Sequence, residues 1–263
     1  MGKKIFAIAV ACCALVLGLA ACAGGSSTAP AAGTSAAGTS PTETSAEAAA
    51  RAEAEAQAAA EAEAKAALDE GLGYWFGTGA DGYDKEKARA AFQQAADGGN
   101  AEGWYWLGAV MATDTNADRW PKAMEYYQAA ADENYAGGWM GLASLYKGGI
   151  GVEADAVKAT EYYANEAKCG AAYNLGVRYE FGYGCEQDHV KAIELFNQEI
   201  ASGKKAAWAM GGLAYMATQG WGMDQDYAVA AEWIRKSLDA AGPKDSGAVN
   251  YANEWLDDIA NGA

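Results

Sequence analysis

The sequence predicts an all-α fold, an α-solenoid of about five helix-turn-helix repeats with a C-terminal capping helix. Three observations predict it. A Lys-Ala step followed by a bulky pair recurs as Lys87-Ala88 with Ala91-Phe92, Lys122-Ala123 with Tyr126-Tyr127, Lys158-Ala159 with Tyr162-Tyr163 and Lys191-Ala192 with Leu195-Phe196. A degenerate copy, Val229-Ala230 with Trp233-Ile234, follows, and the step alanines are spaced 35, 36, 33 and 38 apart. A second pattern leads the units: Leu142-Ala143-x-x-Tyr146 then Gly149-x-Gly151, Leu175-Gly176-x-x-Tyr179 then Gly182-x-Gly184, and Leu213-Ala214 then Gly220-x-Gly222. Finally, the chain is alanine-rich with only 4 prolines in 263 residues, which favours helix over strand. Self-similarity at this period is the mark of a stacked-repeat architecture.

The elements follow in chain order. Lys3 and Lys4 precede an apolar run from Ile5 to Leu19, too short for a comfortable transmembrane span and laid out like a secretory signal. The run ends in Leu19-Ala20-Ala21-Cys22, which resembles the box of bacterial lipoproteins. That resemblance implies cleavage after residue 21, a diacylglyceryl group on the Cys22 sulfur and acyl chains such as palmitate in the membrane. Two or three chains anchor stably where one is marginal. Ala23 stands where inner-membrane retention would place aspartate, so the resemblance implies the outer membrane if the cell has one, and otherwise the outer face of the cell membrane. Cleavage removes two lysines and no acid, taking the formal charge from −16 to −18.

Residues 22–45 hold the anchor cysteine and a Gly/Ser/Thr/Ala/Pro tether that repeats Ala-Ala-Gly-Thr-Ser at 31–35 and 36–40. Such a segment cannot bury a core and spans ~26 Å as a random coil. Residues 46–67 are mostly Ala and Glu, a helix of ~33 Å by its rise per residue. Without an apolar seam it reads as a solvated spacer running into the first repeat, an oligomerising stalk being the alternative. Repeats occupy 68–242. Within each, a small residue after the leading Leu lets two helices approach, and the glycines supply the positive-φ turn. Asp84, Asp155, Asp188 and Asp226 cap the second helices, and the bulky pairs pack on the next unit. Beyond Gly242-Pro243, the apolar residues Val249, Ala252, Trp255, Leu256 and Ile259 share a helical face, predicting a cap over 243–263.

These units resemble the Sel-like repeat, a branch of the tetratricopeptide superfamily, over roughly Ala66 to Gly242. The resemblance implies a superhelix whose first helices line a concave groove, and adaptor or scaffold work. In tetratricopeptide-type units the places two before the Leu, two after it and five after it face the groove. Carried onto this chain they give Tyr105, Met140, Lys147, Tyr173, Glu180 and Tyr215, with Trp75 and Trp208 as further groove candidates. Aromatics with a few charges suit an envelope or extracellular protein or peptide.

Other chemistry is weakly supported. A net charge of −16 excludes a nucleic-acid role, which needs a basic face. Gly77-Thr78-Gly79-Ala80-Asp81-Gly82 matches a dinucleotide fingerprint but follows a helix, not a strand. Asp114-x-Asn116-x-Asp118 with Glu125 imitates a calcium loop, yet Arg119 takes the glycine place. His189 is the single histidine, so no two-histidine zinc motif exists, and no orienting group makes Cys185 and His189 a nucleophilic pair. Cys169 and Cys185 flank a predicted helix that would hold them ~20 Å apart, too far for a disulfide. No catalytic residue, metal or cofactor is expected. The alternatives are a lipoprotein that binds or hydrolyses cell-wall glycan, which needs a paired acid and base, and a passive spacer.

Overall fold

The structure is a computed structural model that describes residues 44–241 except Ala80 and Thr115, all within the unit Thr42–Ala263. The expected signal segment, the lipidation site Cys22, most of the tether and the capping helix at 243–263 lie outside the described residues.

Ten α-helices and no strand occur among the described residues. They are α1 Ser45–Phe76, α2 Lys85–Asp97, α3 Ala101–Ala112, α4 Trp120–Asp132, α5 Ala136–Gly148, α6 Ala156–Lys168, α7 Tyr173–Phe181, α8 His189–Ser202, α9 Ala206–Gln219 and α10 Tyr227–Ala241. A 3-10 turn, Ala117–Arg119, precedes α4. No described helix is long and apolar enough to cross a membrane.

The Ala/Glu segment and the first helix of the first repeat are one continuous helix, α1. Thr44 and Glu47 close its start as a capping box: the Glu47 backbone N–H donates to Thr44 Oγ1 at 3.3 Å, and the Thr44 N–H donates to Glu47 Oε2 at 2.8 Å. Only Ala64, Ala67, Leu68 and Gly71 of α1 are buried, so its first half is a solvated rod.

Five helix pairs follow one pattern: α1–α2, α3–α4, α5–α6, α7–α8 and α9–α10, with α2, α4, α6 and α8 each also packing on the first helix of the next pair. The second helices start where the aspartates stop the chain. Asp84 accepts from the Glu86 and Lys87 N–H groups, Asp155 from Lys158, Asp188 from Lys191, and Asp226 from Ala228 and Val229. The second repeat lacks such a cap. There Asp114 holds Lys85 at 2.9 Å and Arg119 at 2.8 Å, tying its loop to the repeat before. The Asn116 backbone N–H and those two cations hold the Asp114 carboxyl down at about 2.

A bulky residue of the second helix is the wedge that joins the second repeat to the third and the fourth to the fifth. Phe196 is fully buried, and a Cβ on Gly176 or Gly212 would come within 2.7 and 2.8 Å of its ring. Gly176 lies on its own first helix and Gly212 on the next, so one ring holds both. Tyr127 fills the same role against Gly108 and Gly141. Burying such a ring stabilises by ~2–3 kcal/mol, which no repeat could realise alone.

Two features locate the inner face. First helices approach one another across repeats, α3 with α5 and α7 with α9, whereas no two second helices meet comparably. The first helices therefore stand on the inside of the curve. The joint between repeats three and four differs from the rest: α6 and α7 pack less than other consecutive pairs, and α7 starts late, at Tyr173. Most of the buried polar side chains, Thr160, Glu166, Arg178, Glu180 and Glu199, collect in these two repeats.

Candidate functional site

The inner face at this joint is built around Lys205, which begins α9 without a side-chain cap of its own. Its Nζ lies 3.9 Å from Met140 Sδ on α5 and 6.0 Å from the centre of the Tyr173 ring on α7. Three successive repeats therefore bring an apolar thioether, an aromatic ring and an ammonium group together. Below them Glu166, 2% exposed, faces Lys205 at 3.8 Å, and its two carboxylate oxygens accept from Asn174 Nδ2 at 2.9 and 3.0 Å. Burial pushes the Glu166 carboxyl up to about 7, against the pull of Lys205 and Asn174, and the nearby Glu199 raises it further.

Glu199 holds the platform in place. It is fully buried and accepts from the backbone N–H of Ala172 at 2.5 Å, Tyr173 at 3.1 Å and Lys205 at 2.8 Å. One carboxylate thus caps the starts of α7 and α9, which carry no capping side chain, and favours the positive ends of two helix dipoles. Glu166 and Glu199 both fall seven residues after the step alanine, where the other repeats carry Ala95, Ala130 and Ser237. A carboxylate at a place otherwise small is therefore visible in the repeat register. What it caps is not, because the partners are separated by 26 and 27 residues.

Of the groove residues expected from the pattern, Met140 and Tyr173 meet at this point. Tyr105 is 7% exposed and packs among Trp106, Tyr127 and Tyr135 at ring distances of 5.1, 5.7 and 5.9 Å. Burial raises its hydroxyl well above the ordinary range. Lys147 stands exposed at the end of α5, and Trp208 is half-buried on α9. Tyr215 packs with Phe181 and Trp221, and Glu180 lies close by, 3% exposed, its carboxyl pushed up to about 8 by burial. Trp75 sits apart, against Tyr83 at 6.1 Å and Trp106 at 6.5 Å. The sequence reading missed Lys205, Asn174, Glu166 and Glu199.

Cys169 and Cys185 are free thiols. The glycines of the dinucleotide-like run lie at a helix end and turn, with Gly77 at φ +64° capping α1. Among the described residues no group of three or more metal-binding side chains is placed to hold an ion.

The Sel1 repeat family matches the chain at residues 60–100, 117–135, 140–165, 169–198 and 204–241. The chain belongs to the Sel1-repeat family. The segments fall on the first, third, fourth and fifth helix pairs and, in the second pair, on α4 alone, and Sel1 repeats belong to the tetratricopeptide-like superfamily and generally mediate protein–protein interaction. Among solved structures, a Sel1 repeat protein from Oxalobacter formigenes is similar at a TM-score of 0.55 and 21% identity, over 74% of this chain and 84% of that one. A Sel1 repeat protein from Klebsiella pneumoniae subsp. pneumoniae gives 0.47 and 20% identity, over 75% of this chain and 95% of that one. A protective antigen of uropathogenic Escherichia coli with an SLR fold gives 0.41 and 22%, over 80% and 55%. No curated relative matches the chain.

Proposed function

We propose that this protein is an envelope adaptor, held to the membrane by lipid on Cys22, that binds a protein or peptide on the inner face of its Sel1 solenoid. The observation that carries the binding reading is the convergence of Met140, Tyr173 and Lys205 from three successive repeats. A flexible thioether and an aromatic ring offer apolar contact, and a lysine beside them fixes a polar or anionic group of the partner. The anchor rests on the sequence Leu19-Ala20-Ala21-Cys22 after an apolar run. The α1 rod and the tether before it would carry the repeats away from the bilayer.

The anchor is tested by intact mass and detergent partition of the full chain. The parent carries the mass of a diacylglyceryl group and partitions into detergent, while Cys22→Ala does neither; an unmodified parent sinks the anchor. The groove is tested by quantitative capture of envelope proteins on the full chain and on its Tyr173→Ala/Lys205→Ala variant, with helicity checked by circular dichroism. Loss of one or two captured proteins by the folded variant supports the reading. Equal capture by both rejects it.

A further inference from the structure

The exposed apolar side chains are confined to one edge of the stack. Of the large hydrophobics that stand well exposed among the described residues, Phe76 and Tyr83 flank the first inter-helix loop. The rest are Val157 at 57%, Val190 at 60%, Tyr183 at 45%, Tyr227 at 39% and Val229 at 36%, all in or just after the loops that join first to second helices. None lies in a loop that joins one repeat to the next, or beyond the first three residues of a second helix. Singly scattered apolar residues need no explanation, but confinement of all of them to one edge does.

This edge is continuous from repeat to repeat. Each loop sits on the start of the preceding second helix: Gly151 against Trp120, Gly184 against the Ala156 backbone, and Gly222 against His189. Thr160 donates its hydroxyl to the Tyr183 carbonyl at 2.6 Å, and Trp221 stacks on His189 at 4.8 Å. Close approach at Gly184 leaves no room for a Cβ, which explains the second glycine of the loop.

The edge also carries a net negative charge. Residues 149–158, 182–191 and 220–229 carry six carboxylates and two lysines. The lysines, Lys158 and Lys191, lie over Tyr146 and Tyr179 at 4.4 and 4.1 Å from the ring centres. Asp155, Asp188 and Asp226 are spent on helix caps. Glu153, Glu186 and Asp224 are exposed and enter no ion pair among the described residues. We infer that this edge of repeats three to five is a second interaction surface, fitted to a cationic segment of a partner protein with apolar side chains between its basic ones. The acids attract and orient the segment, and the valines and tyrosines supply contact area. This surface is distinct from the inner face and does not rest on the reading given for it.

The probe is a fluorescein-labelled peptide of alternating lysine and leucine, titrated into the full chain by anisotropy at low and high salt. Val157→Ser/Val190→Ser/Val229→Ser and Glu153→Gln/Glu186→Gln/Asp224→Asn are each expected to weaken binding ~10-fold, the sum of three modest exposed contacts. The charge-matched control Glu53→Gln/Glu63→Gln/Glu133→Gln and the inner-face variant Lys205→Ala should shift it less than about twofold, as changes away from the contact surface do. Four results overturn the inference: no binding, equal weakening by the control, loss on Lys205→Ala, or equal binding of a leucine-free lysine peptide. Self-association of the chain that the valine variant abolishes, seen by sedimentation without peptide, would assign the edge to a second copy and overturn it too.

Discussion

Phe196 is the residue on which the account of repeat stacking is most exposed to test. Its ring is fully buried, wedged between Gly176 and Gly212 on consecutive first helices, and lies 5.8 Å from the Tyr173 ring at the inner face. Phe196→Ala removes the buried ring and leaves a cavity that two rigid helices cannot close, a loss of ~4 kcal/mol. With a urea dependence of ~2 kcal/mol/M, the unfolding midpoint falls by ~2 M. Stacked repeats share stability mainly with their neighbours, so the loss should concentrate locally. Amide protection should fall first in α7 to α10 and persist in α1 to α4. Urea titration followed by circular dichroism gives the magnitude, and hydrogen exchange gives the location. The control is Val157→Ala, 57% exposed, expected within ~0.5 kcal/mol of the parent. A loss below ~1 kcal/mol for Phe196→Ala, or one spread evenly over all ten helices, would refute the wedge.

Three further predictions follow from the same structure. Gly108→Ala places a methyl 2.6 Å from the Tyr127 ring and should cost ~1–3 kcal/mol by overpacking in thermal or urea unfolding, although alanine is the better helix former. Asp188→Ala removes the cap whose carboxylate accepts from the Lys191 N–H at 2.9 Å and should cost ~1 kcal/mol in the same assay. Burial raises Glu180 from 4.5 to about 8, so the folded chain holds a proton there that the unfolded chain releases. Its contribution therefore favours folding most below the unfolded value and declines as pH rises towards 8. Glu180→Gln should flatten the stability–pH curve between those values and leave the variant more stable than the parent at the alkaline end, by a few kcal/mol; an unchanged slope contradicts the burial argument.

The fold was legible because its signals are local and repeated. Asp155 and Asp188 mark the starts of second helices from their place three residues before the Lys-Ala step. Gly149 and Gly182, at φ +65° and +71°, end first helices in a conformation other residues resist. The inner face was legible in part. Met140 and Tyr173 were expected from the resemblance to tetratricopeptide-type units, but position within a repeat cannot tell whether a neighbour closes over a side chain. Tyr105 holds an inward position and is covered by Tyr127 and Tyr135, one of them from the following turn. Lys205 and the carboxylates beneath it escaped because their contacts exist only when the repeats are stacked. In sequence they appear as a lysine in a turn and two glutamates on helices. The buried Glu199 that caps two helices replaces the short capping side chains absent at Ala172 and Lys205, a substitution that local pattern does not reveal.

The central claim is that a partner seats on the inner face at the joint of repeats three to five. Site-specific photocrosslinking in the source cell tests it most directly, with benzoylphenylalanine placed at Met140, at Tyr173 and, as the outward control, at the exposed Glu125. The account predicts one discrete adduct, of the same partner, from positions 140 and 173 and none from 125. Adducts absent from both inner positions, or equally strong at all three, would contradict it.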